Sequence, residues 1–161
     1  MTEASNSGAA KNERERAAEA VAAANAAFGT VMSILLQSEA HQLLHVQDLK
    51  WLVVPAVALQ QFRILRVDGM PVGYVSWALV TEEVDARLAK GQPRLSPHEW
   101  QSGDIPWLVD CVLPQGIGPT LLRRFAESFE LAPRLKILPG PGRPDGGVLA
   151  DLIAAVEKPA A

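Results

Sequence analysis

Histidine and aspartate are the residue types in this sequence that could carry proton-transfer chemistry. The histidines are His41, His45 and His98, and one aspartate, Asp110, stands in an otherwise apolar segment. Histidine changes its charge near neutral pH, which suits it to act as a general base. An ionised carboxylate among apolar residues costs several kcal/mol unless something pairs with it. The sequence therefore raises the question of which group pairs with Asp110.

The segment PWLVDCVLPQ, residues 106–115, predicts the strand that carries this aspartate. Regular alternation predicts two faces, Trp107, Val109, Cys111 and Leu113 on one and Leu108, Asp110 and Val112 on the other. Both faces are otherwise apolar, as in a central strand that is covered on both sides. From the residues alone, the favoured interpretation is structural: Asp110 binds backbone N–H groups at an irregularity of the strand.

The spacing of two histidines raises the alternative of a metal site. His41, His45 and Asp48 stand four and then three residues apart, so on a helix they would share one face and could bind a metal ion. Such a face is more often solvated or packed, and no further ligand cluster accompanies it. The sequence therefore predicts no metal site. His98 lies in the polar stretch LSPHEWQSGD, which predicts an exposed loop.

Composition indicates one globular domain. The chain has 161 residues, 48% of them hydrophobic, and a formal net charge of −3, which gives no general attraction to nucleic acid or anionic lipid. The single cysteine, Cys111, excludes an internal disulfide. The alanine-rich N-terminus lacks the uninterrupted apolar core of a signal peptide, and we expect no segment to approach the length of a membrane span. We therefore expect a cytoplasmic protein with no nucleic-acid partner and no stable membrane insertion.

The N-terminal half predicts a long helix followed by a hairpin. Residues 1–11 are small and polar and predict disorder, whereas the alanine-rich stretch from Asn12 predicts a helix through Gly29 into TVMSILLQ. QFRILRV and PVGYVSWALV predict two strands joined at Asp68-Gly69. TEEVDARLAKG predicts a helix that is capped by Thr81 and closed by Gly91.

The C-terminal half predicts alternating strands and helices. After the strand of Asp110, IGPTLLRRFAESFEL predicts a helix, RLKIL a short strand, PGPGRPDGG a long turn and VLADLIAAVEK a closing helix. Antiparallel strands followed by this alternation indicate an α/β or α+β sandwich.

The junction VDCVLPQGIGPTLL could hold a phosphate-bearing ligand. Gly116 and Gly118 flank Ile117 where a strand gives way to a helix, and a helix N-terminus offers unpaired N–H groups to phosphate. The order resembles the loop that holds the pyrophosphate of coenzyme A in GNAT-type acyltransferases. That family usually has glutamine or arginine where this chain has Leu113. A glycine turn that merely begins a helix is the alternative.

Four blocks together resemble the RTX toxin-activating lysine acyltransferases, the haemolysin-activating type. The first is a Ser-x-x-His, here Ser38 to His41, and the second is a proline, here Pro55. The third is PVGYVSWA at residues 71–78, and the fourth is a W-x-S-G-D-x-x-W-x-x-D run at residues 100–110. The resemblance covers roughly residues 26–130.

The resemblance implies a fold, an activity and a site. It implies a GNAT-like, mixed and largely antiparallel sheet flanked by helices. It places the essential residues at His41 and Asp110, paired with each other, with Ser38 and Trp77 in support. The GNAT-type resemblance of the loop Gly116, Ile117 and Gly118 implies that this loop binds the donor. The implied reaction transfers a fatty acyl group from acyl carrier protein to internal lysines of an RTX-type protoxin. No permanently bound cofactor is implied, and a homodimer is compatible with it.

Acyl transfer to a lysine is a reaction that a histidine and an aspartate can catalyse together. A lysine amine must lose a proton before it attacks a thioester, and a histidine held by a carboxylate can accept that proton. A covalent acyl-histidine intermediate is an equally open route. A GNAT-type transferase that uses acyl-coenzyme A and another amine acceptor, and a non-catalytic relative that binds its partner, are the alternative functions. We expect an N-terminal extension over residues 1–25 and an acyltransferase domain over residues 26–161, with a shortened C-terminal region.

Overall fold

The computed structural model describes residues 3–139 and 147–157. Within them, helices and strands form a mixed α/β fold. The helices are α1 (Glu3–Leu35), α2 (Leu49–Leu52), α3 (Val54–Ala58), α4 (Glu82–Ala89), α5 (Gly118–Glu127) and α6 (Leu149–Glu157). The strands are β1 (Phe62–Val67), β2 (Met70–Val80), β3 (Ile105–Val112), β4 (Lys136–Ile137) and β5 (Gly147–Val148).

The five described strands form one sheet whose spatial order follows the chain, β1-β2-β3-β4-β5. Every pairing is antiparallel except that of β3 with β4. The predicted α/β class with a largely antiparallel sheet is confirmed. The short strand β5 was not predicted, and residues 140–146 of the predicted turn PGPGRPDGG lie outside the described residues.

Local turn and cap chemistry explains the predicted hairpin and the helix that follows it. Asp68 and Gly69 both have positive φ, 49° and 78°, as a two-residue hairpin turn between β1 and β2 requires. The Thr81 side chain accepts a hydrogen bond from the Val84 N–H at 3.4 Å, and Gly91 takes a φ of 81° after α4. These elements are confirmed as predicted.

Helices cover both faces of the sheet. On one face, α5 and α6 pack their apolar side chains against β2 and β3 around Trp77 and Phe125. On the other face, the C-terminal turns of α1 pack with α2 and α3 against Tyr74 and Val112. The predicted central strand β3 is therefore covered on both sides, and a carboxylate within it is shielded from bulk water.

A β-bulge in β3 overturns the predicted alternation around Asp110. Ser76 of β2 lies opposite Asp110, but its neighbour Trp77 lies opposite Leu108, so Val109 is an extra residue. Val109 and Asp110 therefore both belong to the face that α1–α3 cover, together with Trp107 and Val112. Leu108, Cys111 and Leu113 belong to the opposite face. Asp110 thus lies at a strand irregularity, as the structural interpretation expected. This irregularity also directs its side chain to the face that α1–α3 cover.

Helix α1 begins at Glu3, so the disorder predicted for residues 3–11 is wrong, whereas residues 1–2 lie outside the described residues. Alanine, glutamate and arginine dominate residues 13–24 of α1, and the helix that they favour extends over the small polar residues before them. Residues 8–23 are exposed along it, and Ala24 is the first residue that packs against the domain. The N-terminal turns are therefore helical by propensity, without tertiary contacts among the described residues.

The same helix bears on the expectation about membranes. Residues Gly8–Leu35 are long and apolar enough to cross a bilayer by length and composition, so the expectation that no segment reaches this length is wrong. Its last turns, however, bury Val31, Ile34 and Leu35 in the core, each at most 3% exposed. Only 17% of the apolar window is buried in the domain, so packing in the core accounts for these last turns and not for the exposed turns before them.

Deleting residues 2–20 should leave the midpoint of thermal unfolding unchanged within about 2 °C, because these residues bury no side chain that the structure describes. Circular dichroism and differential scanning calorimetry would check this. A deletion that continues through Phe28 should lower the midpoint, since Ala24, Ala27 and Phe28 pack against the core. Equal midpoints for the two deletions would contradict this boundary.

Candidate active site

His41 and Asp110 form a hydrogen-bonded pair. The imidazole Nε2 lies 3.0 Å from both carboxylate oxygens of Asp110, although the two residues are 69 positions apart in the chain. Their side chains are 14% and 11% exposed. The structure contains the contact that the resemblance implied, and it answers what pairs with the aspartate of the apolar strand.

Two local features bring the pair together. α1 ends at Leu35, and a 3₁₀ turn over Glu39–His41 then directs His41 back over the sheet. The bulge in β3 turns Asp110 toward this side, where Oδ1 also accepts a hydrogen bond from the Cys111 N–H at 2.9 Å. The carboxylate therefore has a backbone partner and a histidine partner, which offsets the cost of its partial burial.

The orientation of the imidazole follows from these contacts. An ionised carboxylate can only accept hydrogen bonds, so Nε2 carries a proton and the neutral ring has its lone pair on Nδ1. The Ser38 Oγ lies 2.7 Å from Nδ1 and donates its proton to that lone pair. The side chains of Ser38, His41 and Asp110 thus form a continuous hydrogen-bonded chain, with Nδ1 as the basic atom.

Asp110 also alters the acid–base chemistry of its neighbours. The hydrogen bond and charge of Asp110 raise the pKa of His41, outweighing the lowering by burial. Burial, with a contribution from Asp110, raises the pKa of the Cys111 thiol to about 12, so this thiol is not a nucleophile at neutral pH. Burial likewise raises the pKa of the Tyr74 phenol well above its usual range, so it adds no second negative charge beside Asp110.

The raised pKa of His41 predicts two opposite pH dependences. The folded protein binds the imidazole proton more tightly than the unfolded chain, so the pair stabilises the fold fully below the ordinary histidine value of 6.5 and this contribution is lost as pH rises through the raised value. General-base activity should instead rise over that interval, because only neutral imidazole accepts a proton. NMR titration of the His41 ring should give a pKa above 6.5, and Asp110→Asn should lower it. An unchanged pKa in the variant would contradict the assignment.

Tyr74 and Ser76 were missed by the sequence interpretation. Both lie on the face of β2 that α1–α3 cover, with Ser76 directly opposite Asp110 in register. Within the described residues neither buried hydroxyl forms a hydrogen bond of good geometry, but the Ser76 hydroxyl lies near enough to the Tyr74 phenol to offset part of the rise in its pKa. Their two-residue spacing within PVGYVSWA was the available signal, because alternate residues of a strand share a face. Trp77, which was predicted to support the site, lies on the opposite face, with its ring tilted by 50° against that of Phe129 and the ring centroids 4.5 Å apart. It supports the core beneath α5 instead.

The W-x-S-G-D-x-x-W-x-x-D block at residues 100–110 has a structural role. Trp100 and Trp107 are 0% and 2% exposed, and their indole N–H groups donate to the Trp51 carbonyl and the Asp85 carboxylate. Gly103 passes so close to the Val80 carbonyl that a Cβ would overlap it. The block holds the loop before β3 against the end of β2. It therefore fixes where β3 begins and, through the strand, where Asp110 lies.

A polar cavity opens beside the pair. It has a volume of about 640 Å³, and its lining includes Gln37, Ser38 and Glu39 at the end of α1 and Leu113, Pro114 and Gln115 after β3. The predicted donor loop Gly116–Gly118 continues from this rim, and its Ile117 is 44% exposed. Gly116 has a φ of 80°, which requires glycine, whereas a Cβ on Gly118 would lie 3.0 Å from the Leu113 Cβ. A bulky residue at Gly118 would therefore disturb packing rather than the cavity alone.

His41, His45 and Asp48, whose spacing could suit a metal ion on a helix, do not share one helix face. His41 and His45 lie in separate turns, His45 is 78% exposed, and its Nδ1 lies 3.6 Å from Asp48. Across the described residues, no group of three or more histidine, cysteine, aspartate or glutamate side chains could hold a metal ion.

Comparison with known sequences defines the class of protein. A sequence model of the RTX toxin acyltransferase family matches residues 21–137, which include the whole of the site described above. The chain belongs to the RTX toxin acyltransferase family.

Individual relatives agree with this family. The chain is 31% identical over 102 residues to leukotoxin-activating lysine-acyltransferase LktC serotype A1 of Mannheimia haemolytica, covering 63% of this chain and 61% of the relative. It is 30% identical over 121 residues to the protein-lysine myristoyltransferase RtxC of Kingella kingae, covering 75% of this chain and 72% of that one. With the RTX-II toxin-activating lysine-acyltransferase ApxIIC of Actinobacillus pleuropneumoniae it shares 31% over 102 residues, 63% of this chain and 64% of the relative. The matches to LktC and ApxIIC thus span less than two thirds of those relatives' length.

Proposed function

We propose that this protein is a protein-lysine acyltransferase that moves a fatty acyl group from acyl carrier protein to internal lysines of an RTX-type protoxin. The observation that carries the proposal is the His41–Asp110 pair, with Nε2 held at 3.0 Å by the carboxylate in a chain of this family. The names of its relatives LktC, RtxC and ApxIIC support the acyl group and the lysine acceptor. Because the proposed donor is a cytoplasmic carrier, the cytoplasm is the proposed location.

The geometry supports proton transfer at Nδ1. In the general-base route, the lysine nitrogen attacks the thioester carbon and its proton passes to Nδ1, directly or through the Ser38 hydroxyl. The C–S bond then breaks, and the departing sulfur takes the proton from the imidazolium that Asp110 stabilises. In the acyl-enzyme route, Nδ1 itself attacks the thioester, the C–S bond breaks, and a thiolate leaves an acyl-imidazolium behind. The lysine amine then takes the acyl group from the imidazole, and the proton that it loses balances the one that the thiolate takes up from water. Both routes use the same lone pair on the same atom.

The polar cavity is the proposed entrance for the reacting groups. Its volume lies within the range of ligand pockets, and it reaches Ser38, whose hydroxyl touches Nδ1. The Glu39 carboxylate on its lining favours the approach of a lysine ammonium group. The backbone of Gly116–Gly118 continues from its rim to the N-terminus of α5, which favours an anionic phosphate of the donor.

This glycine loop is also what favours a second candidate, a GNAT-type transferase that takes its acyl group from coenzyme A. Both donors end in the same phosphopantetheine thioester, so the reaction at His41 would be unchanged. Parallel assays with acyl-acyl carrier protein and the matching acyl-coenzyme A would separate the two. Transfer from the coenzyme alone would favour the second candidate.

Intact-mass analysis of a candidate RTX protoxin tests the proposed function. Coexpression with this protein should add the mass of one or more acyl groups, which peptide mapping should place on lysines. Coexpression with His41→Gln should add none. A protoxin that stays unmodified, although the enzyme is folded and an acyl carrier protein is present, would contradict the proposal.

Ile117→Glu should weaken donor binding by about two- to fivefold, because a carboxylate at the N-cap of α5 competes with a donor phosphate for the helix end. The same charge favours the helix, so the midpoint of thermal unfolding should not fall. Val54→Glu adds the same charge at a residue of similar exposure, 46%, on α3 and serves as the control. Equal donor affinities for the two variants, measured by calorimetry, would remove the loop from the donor site.

A further inference from the structure

A second, apolar groove has His41 in its lining. It lies between the last turns of α1 and the chain that leads into α2, and it has a volume of about 130 Å³. Six aliphatic side chains line it together with His41, Gln42 and His45; they are Met32, Leu35, Leu36, Leu44, Val46 and Leu49. None of these lining residues is acidic or permanently charged. His41 thus lines the apolar groove, while Ser38, which is hydrogen-bonded to its Nδ1, lines the polar cavity.

The groove is also flanked by unusually exposed apolar side chains. Leu36 is 69% exposed and Val46 is 83% exposed, and both line the groove. Apolar side chains that cluster at a concave site mark it as a place where an apolar group is covered.

We infer that this groove binds the aliphatic chain of the acyl group, so that its lining residues set the preference for chain length. The inference rests on the proposed acyl transfer. A thioester carbon within reach of Nδ1 carries the sulfur arm on one side and the hydrocarbon chain on the other. The polar cavity, which contains the Glu39 carboxylate, suits the amides of the pantetheine arm and the lysine, whereas the uncharged groove suits hydrocarbon.

The size of the groove sets a quantitative expectation. An apolar cavity of about 150 Å³ holds benzene, so a groove of about 130 Å³ encloses roughly six carbon atoms. A longer chain would continue over the exposed side chains of Leu36 and Val46. Each methylene that leaves water should raise affinity about fourfold, with a smaller gain per carbon beyond the enclosed part.

Calorimetric titration with non-hydrolysable acyl-pantetheine amides tests the inference without requiring turnover. For the unmodified protein, affinity should rise steeply from the acetyl to the hexanoyl analogue and less steeply to the decanoyl analogue. Leu36→Glu and Val46→Glu place a carboxylate on the groove at exposed positions, so both variants should fold and flatten this dependence while acetyl affinity stays the same. Met70→Glu, at a 66% exposed residue beside the hairpin turn, is the matched control and should keep the dependence.

The outcomes separate this inference from the proposed function. A flat chain-length dependence in the unmodified protein, or one that Leu36→Glu and Val46→Glu leave intact, overturns the groove assignment even if lysines are acylated. If these variants instead lose affinity for the protoxin alone, the groove binds protein and the inference also falls. Chain-length-dependent binding that the variants abolish supports the groove, even where no lysine of any tested protoxin is acylated and the proposed function therefore fails.

Discussion

Replacing Asp110 with asparagine should lower the rate of acyl transfer by about 10³- to 10⁴-fold. The side chain keeps its shape, but it loses the charge that holds Nε2–H and stabilises the imidazolium, and its amide favours the other tautomer of His41. The basic lone pair would then no longer lie on Nδ1, beside Ser38 and the polar cavity. The rate should be measured with purified acyl-acyl carrier protein and protoxin.

Asp68→Asn is the matched control for this substitution. Asp68 is exposed at the hairpin turn with a φ of 49°, a conformation that asparagine also adopts, so activity and folding should both be kept. Chemical unfolding of each variant reports the folded fraction. If the activity of Asp110→Asn falls only in proportion to its folded fraction, Asp110 serves the fold and not the reaction.

His41→Gln should lower the rate of acyl transfer to the small residual rate that substrate binding and positioning alone support. Glutamine removes the lone pair at Nδ1, and with it both the general-base route and the acyl-imidazole route. The double variant His41→Gln, Asp110→Asn should be little slower than the slower single variant, because residues that act as one unit lose their effect together. Single-turnover rates of the four proteins would measure this coupling.

His98→Gln tests whether the loss is specific to the paired histidine. His98 is exposed in the loop before β3, so its replacement should change neither rate nor stability. Losses that multiply in the double variant would show that His41 and Asp110 act independently. Substantial transfer by His41→Gln would show that another group accepts the proton.

Much of the local structure could be read from the sequence because its causes are local. The Asp68-Gly69 turn requires two residues with positive φ, the Thr81 cap requires one hydroxyl near three N–H groups, and Leu121 and Phe125 repeat at helical spacing in α5. Each of these causes acts within a few residues. The blocks that resemble the family also named the histidine and the aspartate of the site, but not the atoms that join them.

Where sequence interpretation failed, the outcome depended on a partner strand or on packing. Val109 has the side chain of an ordinary strand residue, so nothing in the local pattern marks it as the extra residue of the bulge. Trp77 was assigned to the site from the resemblance alone, whereas the pleat puts it on the face of β2 opposite to that of Tyr74 and Ser76. The start of α1 was misplaced because small polar residues were taken as disordered, although alanine-rich sequence favours helix.

By itself, the sequence determined which residue types are available for chemistry and which short elements carry them. The tertiary structure decided which of them meet: the bulge in β3 turns Asp110 toward α1, and the turn after α1 brings His41 over it at 3.0 Å. It also decided that His41 lines an apolar groove while its hydrogen-bond partner Ser38 lines a polar cavity. The physical reason is that a bulge and a cavity are set by the register and packing of segments distant in the chain, and periodicity within one segment does not encode them.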